Sequence, residues 1–291
     1  MCTSSHDTPE RDVVAPGQHL AAAPGPPHAV VRADSSNTCH FVEQCRSGYG
    51  ATGETEHARW IRVHPSLPAR VYLKDPVTTL SQRAGSRAVS QALDAIDEHA
   101  GKTEVRWLLW RPPRQDAVEA ALLEAGFTHR VDCPGMTKTN LACETAALAP
   151  LSVSRVATHE EVSEWARIYT EANGFPETVR DGFHDALPEA WSRRSDSEWF
   201  IGRTDGGPVA CVKLRLESDR QLCGLYQLAT LERFRRRGFG AYMLTTAMQY
   251  ARARGYASAL LQSEPHAAAL YERLGFTRDC TMEVWIRPVA D

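Results

Sequence analysis

The hydrophobic and polar positions change period repeatedly along the chain, and the changes lay out short strands alternating with amphipathic helices. Trp60 to Val63 and Arg70 to Leu73 read as extended segments, and Val105 to Trp110 is a mostly apolar run that predicts a buried strand. Between them, Val89, Ala92, Leu93 and Ile96 fall at helical spacing within Arg87 to His99. After Pro112-Pro113, Asp116 to Glu124 sets Val118, Ala121 and Leu122 on one helical face, and Gly126-Phe127 stops that helix and opens another strand.

A second series starts with a strand from Ser152 to Val156. Thr158 and Glu161 stand at the spacing of a capping box, for a helix reaching about Ala172. The stretch from Gly174 to Ser197 holds Pro176, Pro188 and two expected short helices. Strands follow at Glu198 to Gly202, Val209 to Leu216 and Leu222 to Leu231, the first two joined as a hairpin through Gly206-Gly207. A long helix from Gly240 to Arg254 buries Met243, Leu244, Ala247, Met248 and Ala251 and ends at Gly255. The chain closes with a strand from Ala257 to Gln262, a helix from Pro265 to Leu274 and a strand from Met282 to Arg287.

The two series echo each other. The segment Gln82 to Arg87 aligns with Arg235 to Gly240 at an offset of 153, Leu108-Leu109 with Leu260-Leu261 at 152, and Gly126-Phe127-Thr128 with Gly275-Phe276-Thr277 at 149. Three anchors in one order predict an internal repeat and a division into residues 38–148 and 149–291. Residues 1–37, rich in Ala, Pro, Gly, Ser and His and broken by Pro24-Gly25-Pro26-Pro27, are expected to form a disordered tail.

Composition narrows the function. In 291 residues, 43% hydrophobic and 24% charged is globular, and a net charge of -3 argues against a protein whose main task is coating nucleic acid. No apolar run reaches the roughly 18 to 20 residues of a membrane-spanning helix, and a soluble cytoplasmic location is expected. The eight cysteines are scattered, with no C-x-x-C pair and no zinc-type grouping, which points to reduced structural thiols and no metal.

Arg235 to Gly240 lies between a predicted strand and the long helix, where orphan backbone N–H groups and the helix dipole favour a phosphate. Gly238 and Gly240 let an oxyanion approach the backbone, and Arg235, Arg236 and Arg237 offer cations. Here the sequence resembles the GCN5-related N-acetyltransferase (GNAT) superfamily, whose acyl-CoA loop reads Arg/Gln-x-x-Gly-x-Gly/Ala. Ala267, Leu270, Tyr271, Gly275 and Phe276 match its second motif.

The resemblance implies an α/β (α+β) fold with a mixed, mostly antiparallel sheet flanked by helices, complete in the C-terminal half and partial in the N-terminal half. It implies acetyl-CoA as cosubstrate, with Arg235, Arg236, Arg237, Gly238, Phe239, Gly240 and Ala241 at the pyrophosphate. Backbone donors at Leu228, Ala229 and Thr230 would hold the thioester carbonyl. Tyr271 takes the place of the proton donor to the departing sulfur, a role open to a phenol of pKa about 10. Transfer to the amine is then direct, with no covalent enzyme intermediate. Neither Cys211 nor Cys223, both on expected core strands, has a histidine arranged to activate it as a nucleophile.

The base that deprotonates the acceptor ammonium is open. The strand before the loop, Leu225 to Leu231, has no carboxylate, and Glu264, which stands where the family often has Asn, is a candidate alongside His266 and Glu232. The N-terminal half carries Arg87 where a loop glycine belongs and Leu122 where Tyr271 would align, so it is expected to bind no cosubstrate. Shaping the acceptor pocket or forming a homodimer surface are its two expected roles. Trp165, Trp191, Trp199 and Phe183 read either as pocket lining or as core.

The acceptor expected is a small-molecule amine such as an amino sugar, an amino acid derivative or an antibiotic-like metabolite. Protein amino groups and a non-catalytic acyl-CoA-binding scaffold are the alternatives. Binding of nucleic acid through Arg233 to Arg237 ranks third, and neither a nucleic-acid nor a membrane partner is expected.

Overall fold

A computed structural model describes residues 51–76, 78–111, 113–143, 151–192, 196–217 and 221–289. The expected tail and the expected division near residue 148 lie outside the described residues. The first half contains β1 (Ala51–Glu54), β2 (Ala58–Arg62), β3 (Ala69–Leu73), α1 (Gln82–Ala100), β4 (Val105–Arg111), α2 (Asp116–Glu124) and β5 (Thr128–Lys138). The second contains β6 (Ser152–Arg155), α3 (His159–Ala172), α4 (Glu177–Ser192), β7 (Ser197–Thr204), β8 (Gly207–Glu217) and β9 (Leu222–Thr230). After a 3-10 turn at Glu232–Phe234 come α5 (Phe239–Arg252), β10 (Ser258–Gln262), a 3-10 turn at Pro265–Ala267, α6 (Ala268–Arg273) and β11 (Thr277–Arg287). Three strands, helix, strand, helix and strand thus occur twice in the same order.

All eleven strands form one sheet, ordered β1-β2-β3-β4-β11-β5-β10-β9-β8-β7-β6. Only β3 with β4 and β9 with β10 run parallel; the other neighbours are antiparallel. The two halves exchange their last strands. The closing strand of the first half, β5, lies against β10, while β11 lies against β4, and the two pair with each other at the centre.

Side chains explain why β11 crosses over. Trp285 buries itself in the core of the first half with Trp107, Leu109, Val118, Leu122 and Phe127. The Glu283 carboxylate, 2% exposed, pairs with Arg111 of β4 and accepts a hydrogen bond from Trp285 Nε1 at 3.0 Å. A one-residue slip would bury the wrong side of the strand and leave this carboxylate without its cation, so the β4–β11 register is unbroken from Arg111 to Val105.

Helices α1 and α2 cover one face of β1–β4. The other face carries Ile61, Tyr72, Leu108, Trp110, Cys133 and Met282, and no helix of the first half packs on it. In the second half, α5 packs on Val212, Leu214 and Leu225, and the α3–α4 pair packs on Trp199, Ile201 and Cys211. The β2–β3 loop reaches this last layer: Leu67 joins its core, and His64 Nε2 stands 3.5 Å from Asp185 of α4. The uncovered face of the first half and the α3–α4 layer of the second are therefore joined across one side of the sheet.

Three expectations change. One helix, Glu177–Ser192, runs through Pro188 instead of two, because burial of Phe183, Ala186, Leu187 and Ala190 along its face outweighs the lost hydrogen bond. Helix α1 starts at Gln82, capped by Ser81, whose Oγ accepts from the Ala84 N–H at 3.4 Å. Strand β11 begins at Thr277, its first residues pairing with β5. No helix among the described residues is long and apolar enough to cross a membrane.

Candidate functional site

The parallel pairing of β9 with β10 stops after Leu260 opposite Gly224. Beyond it, β10 stays with β5 through Gln262 opposite Gly135, while Leu225 to Thr230 continue beside β8. The strands diverge, and a cavity of about 1460 Å³ opens at the gap. On β9 the ladder is broken by a bulge: Cys211 pairs with Ala229 and Lys213 with Tyr226, leaving Gln227 and Leu228 opposite Val212. Gln227 sits at φ 53°, a backbone conformation that re-aims the strand toward the cavity. Leu228, Ala229 and Thr230 line that same stretch.

The turn into α5 forms one end. Gly238 is its N-cap at φ 82°, and Arg236 before it has φ 64°. Among the described residues the N–H groups of 236–241 make no hydrogen bond, and Gly238 provides no side-chain cap. A run of backbone donors with no partner among the described residues, beside a cavity, fits a pyrophosphate. Arg236, Gly238, Phe239, Gly240 and Ala241 line the cavity.

The arginines divide in function. The Arg235 Nε donates to the Thr230 carbonyl at 3.1 Å, and its guanidinium also reaches the Ala172 carbonyl, so Arg235 ties the end of β9 to the end of α3. Arg237 donates to the Arg233 carbonyl at 3.2 Å, its guanidinium 5.3 Å from the Phe234 ring centroid, and does not line the cavity. Arg235 and Arg236 both line the cavity, and of the two Arg236 makes no hydrogen bond or ion pair among the described residues. Gly240 is not demanded by packing: a Cβ there would find Leu270, Leu228 and Thr230 at 3.7 to 4.0 Å. The matching loop of the first half is absent, because Gln82 to Arg87 is the first turn of α1 and Gly85 packs against Ala117 of α2.

Tyr271 projects from α6 with 8% of its surface exposed and lines the cavity. Its hydroxyl has no hydrogen-bond partner among the described residues. Burial, with a contribution from the Glu264 charge, pushes the phenol up to about 12. Glu264 stands two residues past β10, at the start of the 3-10 turn, and is the only carboxylate among the described residues lining the cavity. Its charge is felt at Tyr271, Tyr169 and Cys133. His266 also lines the cavity, and Glu232, on the 3-10 turn, does not.

Tyr169 of α3 was not foreseen. Burial raises its phenol, opposed by the Arg70 charge and by a hydrogen bond with the Gln227 side chain. It thereby joins the bulge, the carboxylate and the first half in one place. Trp165 and Trp199 are core, their rings tilted at 48° with centroids 4.6 Å apart, and neither they nor Trp191 and Phe183 line the cavity. Burial holds Cys211 well above the usual thiol range and pushes Cys133 and Cys223 up to about 12, so none is a ready thiolate.

The first half contributes a wall. Arg70, Arg106 and Leu108 from β3 and β4, with Arg130, Val131 and Cys133 from β5, line the side opposite the α3–α4 layer. An arginine set between apolar residues, as in Val105-Arg106-Trp107, was the sequence signal for these residues, since Val105, Trp107 and Leu109 on the helix-covered face of the same strand are apolar.

This arrangement, a bulged and splayed strand pair in a mostly antiparallel sheet flanked by helices, is that of the GNAT fold. Residues 160–276 match the model of the Acetyltransferase (GNAT) family. The fold likeness extends over both halves. A GCN5-related N-acetyltransferase from Kribbella flavida superposes with a TM-score of 0.66 at 20% identity, covering 90% of this chain and 96% of that one. One from Sphaerobacter thermophilus gives 0.58 at 13%, covering 81% and 82%. A tandem GNAT protein from the clavulanic acid biosynthesis pathway gives 0.55 at 15%, covering 84% and 82%. No curated protein matches the sequence.

Proposed function

We propose that the chain is an acyl-CoA-dependent N-acetyltransferase acting on a small-molecule amine, with its site in the second half. The observation that carries this reading is the run of unpartnered N–H groups at 236–241, opening on a cavity that also holds Tyr271 and Glu264. At about 1460 Å³ the cavity exceeds the roughly 300 to 1,000 Å³ of an ordinary ligand site, which supports two substrates bound together. Its walls come from both halves, which favours a small acceptor over a protein side chain.

Acetyl-CoA supplies the activated acyl group. The 236–241 amides and Arg236 bind its pyrophosphate, and the β9 bulge turns backbone toward the acyl end. Glu264 takes the proton from the acceptor ammonium, directly or through water. Tyr271 remains protonated at neutral pH and donates a hydrogen bond toward the sulfur. Arg235 positions the loop through the Thr230 and Ala172 carbonyls.

Isothermal titration of acetyl-CoA into the wild type and into Gly238→Ala tests the site. A Cβ at φ 82° costs about 1–2 kcal/mol and displaces the N–H run, so micromolar binding should weaken at least tenfold in the variant. Absence of binding by the wild type would sink the proposal, and binding without thiol release across an amine library would leave a scaffold.

A further inference from the structure

The wall supplied by the first half is cationic. Arg70 and Arg106 are direct neighbours across the parallel β3–β4 pair, and Arg130 stands at the irregularity in β5 where Val131 pairs with Val284 and His129 with Trp285. Facing them across the cavity, Lys213 and Arg215 are 3% and 4% exposed on one side of β8. Arg215 is held by Asp196 at 2.8 Å, and Lys213 lies 5.3 Å from the centroid of the Trp199 ring. Arg106 is paired with Glu104 at 2.7 Å. Arg70 and Arg130 make no ion pair among the described residues, and Glu264 is the one carboxylate lining the whole cavity.

Like charges on paired positions of a sheet repel each other and destabilise the pair unless something between them is negative. We infer that the acceptor amine carries an anionic group, a carboxylate or a phosphate, seated on the Arg70–Arg106 pair with Arg130, while its amine reaches Glu264. This deepens the acetyltransferase reading and rests on it. The two ends line one cavity, so a single molecule can address both. Guanidinium groups suit the role, since their planar donors meet carboxylate and phosphate oxygens in pairs. The wall also assigns a task to the half that has no phosphate loop: it selects the acceptor.

The test uses the full chain saturated with CoA and pairs of amines that differ only in the anionic group. An amino acid is compared with its carboxamide, and a hexosamine with its phosphate ester, so that the two sources of charge are read separately. Dissociation constants come from isothermal titration and need no turnover. At least one charged member should bind tenfold or more tightly than its neutral counterpart, with a preference that falls as salt is raised. Arg70→Gln and Arg106→Gln should each remove most of that preference while CoA affinity, the control for folding, stays unchanged. Arg130→Gln, on the exposed irregularity, is the further variant if either fails to fold.

Equal binding of charged and neutral members in both pairs, no binding by any charged member, or a preference that survives the substitutions would overturn the inference. Failure of the acetyltransferase reading looks different: charge-selective binding persists and no acetylated amine forms.

Discussion

Replacing Tyr271 by Phe separates two ways in which a tyrosine can assist departure of a thiolate. If the phenol surrendered its proton, the transfer would run from a group at about 12 to an ordinary thiol near 8.5, about three powers of ten uphill. If it only donates a hydrogen bond to the developing charge, its contribution is that of a charge-assisted bond, about 1.5–3 kcal/mol, or roughly 10- to 150-fold in kcat. The structure supports the second. The residue is 8% exposed and its hydroxyl has no partner to lose among the described residues, so Tyr271→Phe should unfold at the wild-type urea midpoint, the ring keeping its edge-on contact with Phe276.

Steady-state kinetics with a competent amine should then show a fall in kcat of that size, with acetyl-CoA affinity unchanged. The pH profiles of the two proteins should run parallel up to about pH 10, because the phenol is not yet ionising there. A wild-type kcat in the variant would refute the assignment. An alkaline limb near pH 9 that disappears in the variant would refute the argument from burial.

Three further outcomes are expected. Glu264→Gln should lower kcat/KM by about 10²- to 10⁴-fold without changing acetyl-CoA affinity, and an ultraviolet phenolate titration should find Tyr271 ionising at lower pH once that charge is gone. Glu283→Ala should cost about 3 kcal/mol in urea unfolding, the low end for breaking a buried pair because Arg111 keeps Glu119 at 3.0 Å; a loss under 1 kcal/mol would contradict its role in holding β11. Stability should fall as pH rises from about 9 to about 12. The folded chain holds the Cys133, Cys223 and Tyr271 protons above their unfolded pKa values, so the stabilisation is complete below that window and lost through it, and a flat urea midpoint there would refute it.

Much of the fold was legible because local periodicity fixes elements. The 116–124 helix, the Thr158 cap and the strand–loop–helix around Gly238 all stand where the pattern puts them. The Thr158 Oγ1 accepts from the Glu161 N–H at 3.2 Å. The candidate site was legible where chemistry is carried by backbone and local motif, as at 236–241, Glu264 and Tyr271. It was illegible where a side chain's partner lies far away in sequence. Nothing near Arg235 announces that its guanidinium is held by Thr230 and Ala172, and nothing near Tyr169 announces Gln227. Pro188 misled because a local rule, that proline breaks a helix, was overruled by burial along the helix face.

The strand exchange lay furthest from view, since β5 and β11 have equivalent patterns and either could have closed its own half. Its consequence reaches the site. If β11 had stayed beside β10, the residues of β5 would lie in a separate sheet, and Val131, Cys133 and Arg130 could not face the β9 bulge. Because β5 instead pairs with β10, the strand that must diverge from β9 is anchored along its other edge, and the gap cannot close by β10 moving away from the first half. Meanwhile β11 carries Met282, Val284 and Ile286 into the cavity floor between β4 and β5. The exchange thus places the first half, which has no phosphate loop of its own, directly against the loop it lacks, and a wall of β3, β4 and β5 side chains becomes part of the other half's site.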